Sequence, residues 1–436
     1  MLKIYHESTE FNRFSRFDTK TGRLSSISEE EFGKFLSNDP QMEDKPVQRI
    51  EGKEAIVFLG ETPKTRTRFP RRVYFQITRN CNLECPACFI KAEKKGQHVP
   101  TSAIMELAEF MGRNGLMEVR LTGGEPTTHP DFFDILHKFQ DEGVYVSVAT
   151  NGVFNQRTLD ALCEEPNLWV ICSVDGNRET HNRYRPNTFD KIITNLKYLK
   201  NKNPATRLRL TTVLTKENQS QVFELGQICK SVSAESITII PLRPQVRDQK
   251  IKDEMVTARE FKQVLDELVV AKEKLGIQFT TTIETDYKAE IYSDPVFTKR
   301  SSCAAGREGA NLDYDAEKNE FLVYGCSYSP ASDLLENPVI RKPFLAGTFT
   351  PDNIPYFLDI WRNEDAWTIF RDLSLKPDSC QKCEYLQRHL CTGSCPIQNI
   401  DYASIDVDGN VLEQLKESIH RTGEWYCYKN VVQENC

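Results

Sequence analysis

Three closely spaced cysteines open the chemical reading, because Cys81-Asn-Leu-Glu-Cys85-Pro-Ala-Cys88 sets three thiols on one short stretch. Thiolates are the soft ligands of iron–sulfur clusters, and three of them on four irons leave one iron open to chelate a second molecule. An incomplete zinc site is the bland alternative. Structural zinc takes four ligands, however, and no fourth Cys or His lies close in sequence. A second series, Cys303, Cys326, Cys380, Cys383, Cys391, Cys395 and Cys427, occupies the last third of the chain. Its paired spacings, Cys380-x-x-Cys383 and Cys391-x-x-x-Cys395, also suit a zinc ribbon. Fourteen cysteines without an export signal read as metal ligands before disulfides, since cytosolic thiols are kept reduced. Cys163, Cys172 and Cys229 fall inside helix or strand patterns and read as small buried hydrophobes.

The elements that must position these thiols follow from Val73 onward, where short β-branched or aromatic runs alternate with amphipathic helical stretches. Strands are expected at Val73–Thr78, Glu118–Thr122, Tyr145–Thr150, Trp169–Val174, Arg207–Leu214 and Ser236–Pro241, with helical patterns such as Ser102–Gly115 and Phe189–Lys200 between them. These are six βα units, which suit an open, partial barrel, and barrel chemistry sits at the C-terminal ends of the strands. The first cysteine loop falls at such an end. A last helical pattern, Ala258–Leu275, leads into a region rich in Cys, Gly and Pro where the alternation stops. Before the barrel, a hairpin is expected around Phe17–Ser25, turning on Thr21-Gly22, followed by a helix whose Ser28 and Glu31 form a capping-box pattern. The basic run from Lys64 to Arg72 reads as a solvated linker.

CxxxCxxC followed by an aromatic, here Phe89, resembles the radical S-adenosylmethionine (SAM) superfamily, and three further motifs match at strand ends. Gly123-Gly124-Glu125-Pro126 resembles the motif whose backbone meets the amino group of SAM, where a residue without Cβ permits close approach. Asn151, in Ala149-Thr-Asn-Gly152, resembles the family's next turn. Ser173 and Asp175 resemble its ribose-facing strand end. The family often carries an Arg that contacts the SAM carboxylate; Arg183 and Arg185 both fit, and Arg185 is carried as the site residue. The resemblance implies that Cys81, Cys85 and Cys88 hold a 4Fe–4S cluster whose open iron binds SAM. Reductive cleavage of SAM would then give a 5′-deoxyadenosyl radical that abstracts hydrogen from an unactivated carbon.

The later cysteines, with Trp361 and the CxxxCP ending at Pro396, resemble the SPASM extension, which binds two auxiliary 4Fe–4S clusters. Three clusters are thus implied. By carry-over, Cys380, Cys383, Cys391 and Cys427 close the outer auxiliary cluster, while Cys303, Cys326 and Cys395 hold the inner one. Seven residues between Cys383 and Cys391, and the wide gap between Cys303 and Cys326, depart from the family's usual spacing. The expected fold class is α/β: a partial (βα)6 TIM-like barrel with a cysteine-rich C-terminal SPASM module and a small N-terminal α+β segment. The expected domains are residues 1–70, a partial leader-peptide recognition region; 71–285, the barrel; and 286–436, the auxiliary-cluster module.

Composition narrows the partners. A net charge of -7 and a pI near 5.7 argue against a broad nucleic-acid surface, and no stretch approaches the ~20 apolar residues of a membrane span. A cytoplasmic protein is expected. SPASM-bearing enzymes mostly modify peptides or proteins, so the resemblance implies a maturase of a ribosomally made precursor peptide with a leader. It would install an oxidative change such as a crosslink and be fed by a reducing donor such as flavodoxin or ferredoxin. Activation of a folded enzyme, of the sulfatase or quinoenzyme type, and oxidation of a haem or cofactor side chain are the alternatives. No catalytic base is assigned, although Asp313 and Asp315 lie on a segment expected to face the barrel.

Overall fold

Apolar and polar residues alternate along Arg72-Val-Tyr-Phe-Gln-Ile-Thr78, and that period of two makes a strand with two unlike faces. The computed structural model describes residues 2–7, 13–36, 47–50, 55–58, 65–243, 247–281, 303–329, 337–372, 374–383, 395, 397, 400 and 404–421. The N-terminal strands are β1 (Leu2–Glu7), β2 (Arg13–Asp18), β3 (Arg23–Ile27), β4 (Val47–Ile50) and β5 (Ala55–Phe58), with helix α1 (Glu29–Leu36) after β3. They form one sheet in the order β3-β2-β1-β5-β4. The hairpin on Gly22 and the capping box are present: Glu31 N donates to Ser28 Oγ at 3.1 Å and Ser28 N to Glu31 Oε2 at 2.9 Å. Strands β1, β4 and β5 had no counterpart in the sequence reading.

The barrel strands are β6 (Arg72–Thr78), β7 (Glu118–Gly123), β8 (Tyr145–Thr150), β9 (Trp169–Ser173), β10 (Arg207–Leu214) and β11 (Ser236–Pro241), with a short seventh, β12 (Gln278–Thr281). They lie side by side in sequence order and run parallel. Helices α2 (Thr101–Arg113), α3 (Phe132–Asp141), α4 (Gln156–Glu164), α5 (Arg178–Tyr184), α6 (Phe189–Lys202), α7 (Val222–Ser231) and α8 (Ala258–Leu275) connect them. The sheet then continues past β6 through β13 (Gly309–Asp315), β14 (Glu320–Tyr324) and β15 (Leu345–Phe349), so it remains open, as the partial barrel requires.

Val73, Phe75 and Ile77 of β6 pack with Ile104, Leu107 and Met111 of α2 in the main core, each such side chain contributing roughly 1.5–3 kcal/mol on burial. The alternate residues Arg72, Tyr74 and Gln76 therefore belong to the inner face. Cys163, Cys172 and Cys229 lie in this same core, as small apolar groups do.

At the end of the barrel where the strands begin, Tyr5 and Phe17 of the N-terminal sheet pack against Met117, Tyr145, Trp169 and Ile171. Lys3 Nζ donates to Leu116 O at 2.6 Å and Tyr5 OH to Gly115 O at 2.9 Å. The basic run is not a solvated linker. Arg66 pairs with Glu364, Arg71 with Glu308 and Arg72 with Glu118, while Thr67 O accepts the Trp361 indole N–H at 3.0 Å. Its partners lie far along the chain, which is why the local sequence gave no sign of them; Lys64 lies outside the described residues. Among the described residues, no helix is long and apolar enough to cross a membrane.

Candidate active site

Beyond β6 the chain folds back on itself at the mouth of the barrel. Thr78 Oγ1 accepts Asn80 N at 2.9 Å, Cys81 N donates to Glu93 O at 2.9 Å, and Cys88 N closes a tight turn on Cys85 O at 3.1 Å. Cys81 is buried, and Cys85 and Cys88 are half-buried. Desolvation pushes the Cys81 thiol up to about 11, with Glu125, Cys85 and Cys88 adding to it. The three thiols thus sit within one another's electrostatic reach. Among the described residues, no three His, Cys, Asp or Glu side chains gather about a single metal-ion position. Three soft thiolates on one loop form a donor set that fits an iron–sulfur cluster.

Gly123 and Gly124 lie directly against this loop. A Cβ on Gly123, whose φ is 140°, would sit 2.2 Å from Thr78 O, and one on Gly124 would sit 2.1 Å from Asn80 O. Glycine is required here by the approach of two stretches of the chain's own backbone, which the sequence argument had ascribed to the ligand. Gly124 N donates to Thr78 O and Glu125 N to Asn80 O, both at 2.8 Å. The Glu125 carboxylate is fully buried and accepts from Thr127 N at 3.3 Å, Thr127 Oγ1 at 2.7 Å, Thr150 Oγ1 at 2.8 Å and Asn151 N at 2.8 Å. It ties the end of β7 to the end of β8. Pro126 opens the 3-10 turn that follows.

Asn151 carries the link to the cysteines, its Nδ2 lying 3.8 Å from Cys81 Sγ and 2.7 Å from Asn82 Oδ1. Ser173 ends β9 on the inner face. Asp175 is buried, accepting Val213 N at 2.8 Å and Arg185 Nε at 2.6 Å. Burial works against the Arg185 charge, but Asp175 and then Cys85 hold it and push its pKa up. Arg183 instead pairs with Glu217 on the outside. Geometry therefore brings Arg185, and not Arg183, to the cysteine loop.

The strands β13 and β14 form a hairpin between Cys303 and Cys326, and this accounts for the wide gap between those two cysteines. Cys395 packs in a second core with Cys326 and Tyr328 beside it, and Cys383 N closes on Cys380 O at 3.0 Å. Tyr328 bridges the two regions, its ring 4.8 Å from that of Phe89. Arg243 lies 4.7 Å over the same Tyr328 ring, with Nη1 3.8 Å from Cys395 Sγ. Cys391, Pro396 and Cys427 lie outside the described residues. Of the candidate bases, Asp313 is buried in an ion pair with Arg79, and Asp315 caps the hairpin turn through Glu317 N at 3.1 Å.

Residues 75–227, from β6 into α7, match the radical SAM superfamily. This is a radical SAM enzyme. Membership brings SAM and a 4Fe–4S cluster as its cofactors, and the cysteine loop at the mouth is the donor set that suits them. The radical SAM enzyme is 24% identical to the AdoMet-dependent heme synthase of Methanosarcina barkeri, over 82% of this chain and 99% of that protein. It is 25% identical to the mycofactocin maturase MftC of Mycolicibacterium smegmatis, over 77% of this chain and 80% of that protein. Its fold is shared with Streptococcus suis SuiB, solved with S-adenosylmethionine, at a TM-score of 0.65 and 15% identity over 91% of this chain and 94% of that one. SuiB has also been solved with its precursor peptide SuiA.

The sequence reading missed the inner-face residues Arg120, Arg209 and Gln76. Their signal was available: charged and amide side chains at alternate positions of strands that are buried on both faces.

Proposed function

We propose that this radical SAM enzyme is a peptide maturase that abstracts hydrogen from a ribosomally made precursor and installs an oxidative modification such as a crosslink. The observation that carries the radical chemistry is the meeting of the Cys81, Cys85 and Cys88 loop with the Gly123-Gly124 turn, Asn151 and Arg185 at one barrel mouth. The similarity to a mycofactocin maturase, and the fold shared with an enzyme solved with its precursor peptide, support the peptide substrate. When bound, the cluster and SAM supply a 5′-deoxyadenosyl radical.

The chain's own residues do the rest. Cys81, Cys85 and Cys88 hold the cluster; Gly123, Gly124 and Pro126 shape the turn that receives the amino acid part of SAM, and Glu125 fixes that turn through its four hydrogen bonds. Arg185, set by Asp175, would pair with the carboxylate of SAM, and Asn151 and Ser173 would line the remainder of its site. Cys380, Cys383, Cys391 and Cys427 would hold an outer auxiliary 4Fe–4S cluster, and Cys303, Cys326 and Cys395 an inner one. The barrel spans residues 71–285 and the auxiliary-cluster module 286–436, while residues 1–70 receive a leader as an added strand. A donor such as flavodoxin or ferredoxin feeds the electron.

Similarity to a heme synthase over that protein's whole length favours a second reading, oxidation of a cofactor side chain. The deciding experiment reconstitutes the enzyme anaerobically, counts iron and sulfide, and follows 5′-deoxyadenosine with precursor peptides or with iron porphyrins. About twelve irons and peptide-dependent turnover establish the maturase. Turnover with a porphyrin alone establishes the second reading, and about four irons removes the auxiliary clusters.

A further inference from the structure

The floor of the barrel carries more positive charge than it can pair. Arg72, Arg120, Arg207 and Arg209 all come from the first residues of strands, where they surround Glu118 and Trp169. Glu118 is satisfied several times over: it accepts Arg72 Nε at 2.7 Å, Arg120 Nη2 at 3.1 Å and Ser147 Oγ at 2.7 Å, and these hold its carboxyl at about 2 against the cost of burial. Arg207 pairs with Glu235 at 3.3 Å and donates to Thr21 O. Arg209 has no such partner. Its Nε donates to Ser236 Oγ at 3.0 Å and its guanidinium stands 4.6 Å over the Trp169 ring, but among the described residues no carboxylate pairs with it. Arg120 lies 5.6 Å over the same ring.

A half-buried guanidinium crowded by three others is unfavourable, and burial with those neighbours pulls Arg209 down to about 10 although Glu118, already shared by Arg72 and Arg120, opposes the shift. One level higher on the inner face of β6, Gln76 is 3% exposed, and among the described residues neither its amide oxygen nor its amide nitrogen has a partner. Asn311, across from Tyr74 on β13, also leaves its amide nitrogen unpaired among the described residues. A polar molecule with an acidic end would satisfy this wall and floor together. An apolar one would satisfy neither.

We propose that the inner face of the barrel is a carboxylate-binding site in which Arg209, over Trp169 and beside Arg120, grips a carboxylate of the substrate while Gln76 pairs with a neighbouring amide. The inference deepens the peptide reading and rests on it: the carboxylate belongs to an acidic side chain or to the free C-terminus of the peptide. A guanidinium fork matches a carboxylate with two parallel hydrogen bonds, which an uncharged amide cannot reproduce.

The test measures binding to the anaerobically reconstituted holoenzyme, with its clusters oxidised, by saturation-transfer NMR. The probes are N-acetylglutamate α-amide, with a side-chain acid; N-acetylglutamine, with a terminal acid; and N-acetylglutamine amide, with neither. At least one acid binds about tenfold or more tightly than the neutral amide, and which of them does so identifies the source of the carboxylate. Arg209→Gln removes that preference, Arg209→Lys keeps part of it, and Arg113→Gln, on the exposed face of α2, keeps all of it. Equal binding of all three probes to the unmutated enzyme overturns the site whether or not a variant folds, and so does an acid preference that survives in folded Arg209→Gln. If acids bind through Arg209 but no peptide is modified, the peptide reading fails and this site stands. If a peptide substrate is turned over equally well with its acids converted to amides, the carboxylate site fails and the peptide reading stands.

Discussion

Arg185 Nε donates to Asp175 Oδ2 at 2.6 Å, so the residue that caps the C-terminus of α5 is tied to the segment just beyond β9 beside the Cys85 thiol. The acid is held in turn by Val213 N at 2.8 Å. Asp175→Asn and Arg185→Gln are each expected to weaken SAM binding by about tenfold or more, the scale of a charge-assisted hydrogen bond. Arg183→Gln, in the outward pair with Glu217, should leave it unchanged. Equilibrium dialysis of SAM against the reconstituted enzyme checks all three. Loss of binding in Arg183→Gln would reverse the assignment.

Glu125 offers a separable prediction, because its carboxylate is an internal staple. Glu125→Gln keeps the size but replaces one acceptor oxygen by an NH2 that faces a donor, Asn151 N on the Oε2 side or the Thr127 and Thr150 donors on the Oε1 side, and should cost about 1–3 kcal/mol of stability. Urea unfolding of the reconstituted enzyme, with and without SAM, measures it. The loss should appear without SAM as well as with it, since the four partners belong to the chain itself.

Much of this site was legible in the sequence because its parts are local. The cysteine spacing, the Gly123-Gly124 pair and the turn at Asn151 each lie at a strand end that the short β-branched and aromatic runs locate, and β8, β10 and β11 begin and end where those runs do. What stayed hidden depends on partners distant in the chain. Arg66 meets Glu364 and Thr67 meets Trp361 only once the C-terminal region packs back, so a run that looks like a solvated linker becomes a strap. Strand β1 was missed because its Lys3, Tyr5 and Glu7 look like the alternation of an exposed segment, whereas Lys3 and Tyr5 are buried against the barrel.

Lys3 is fully buried at that junction, and burial lowers its pKa to about 7 from 10.5, with Glu142 opposing the shift. Between these two values the unfolded chain holds a proton that the folded one has released, so folded stability rises with pH across that window. The slope is at most about 1.4 kcal/mol per pH unit. Below pH 7 both states are protonated and the cost of the buried ammonium is felt in full. Lys3→Met should flatten the slope between pH 7 and 10 and gain most at the acid end. Hydrogen exchange of the β1 amides across that range is the measurement; an unaltered slope would place the proton on another group.

Arg243 sits between the two cysteine regions, over Tyr328 and 3.8 Å from Cys395 Sγ, while the Tyr328 ring lies 4.8 Å from Phe89, the residue after Cys88. A positive donor beside a ligand sulfur stabilises the more negative, reduced form of a cluster and so raises its potential. With the inner auxiliary cluster on Cys303, Cys326 and Cys395, Arg243→Gln should therefore lower the potential of that cluster alone, by roughly 40–90 mV for a one-electron couple losing about one to two kcal/mol of stabilisation. Arg243→Lys keeps the charge but not the planar fork and should fall between the two. Redox titration followed by EPR reads the clusters separately, and Cys395→Ala identifies which signal belongs to this one. A shift confined to a signal that survives in Cys395→Ala but is lost in the Cys81/Cys85/Cys88→Ala variant would place the influence of Arg243 on the SAM-binding cluster, across the Phe89–Tyr328 contact.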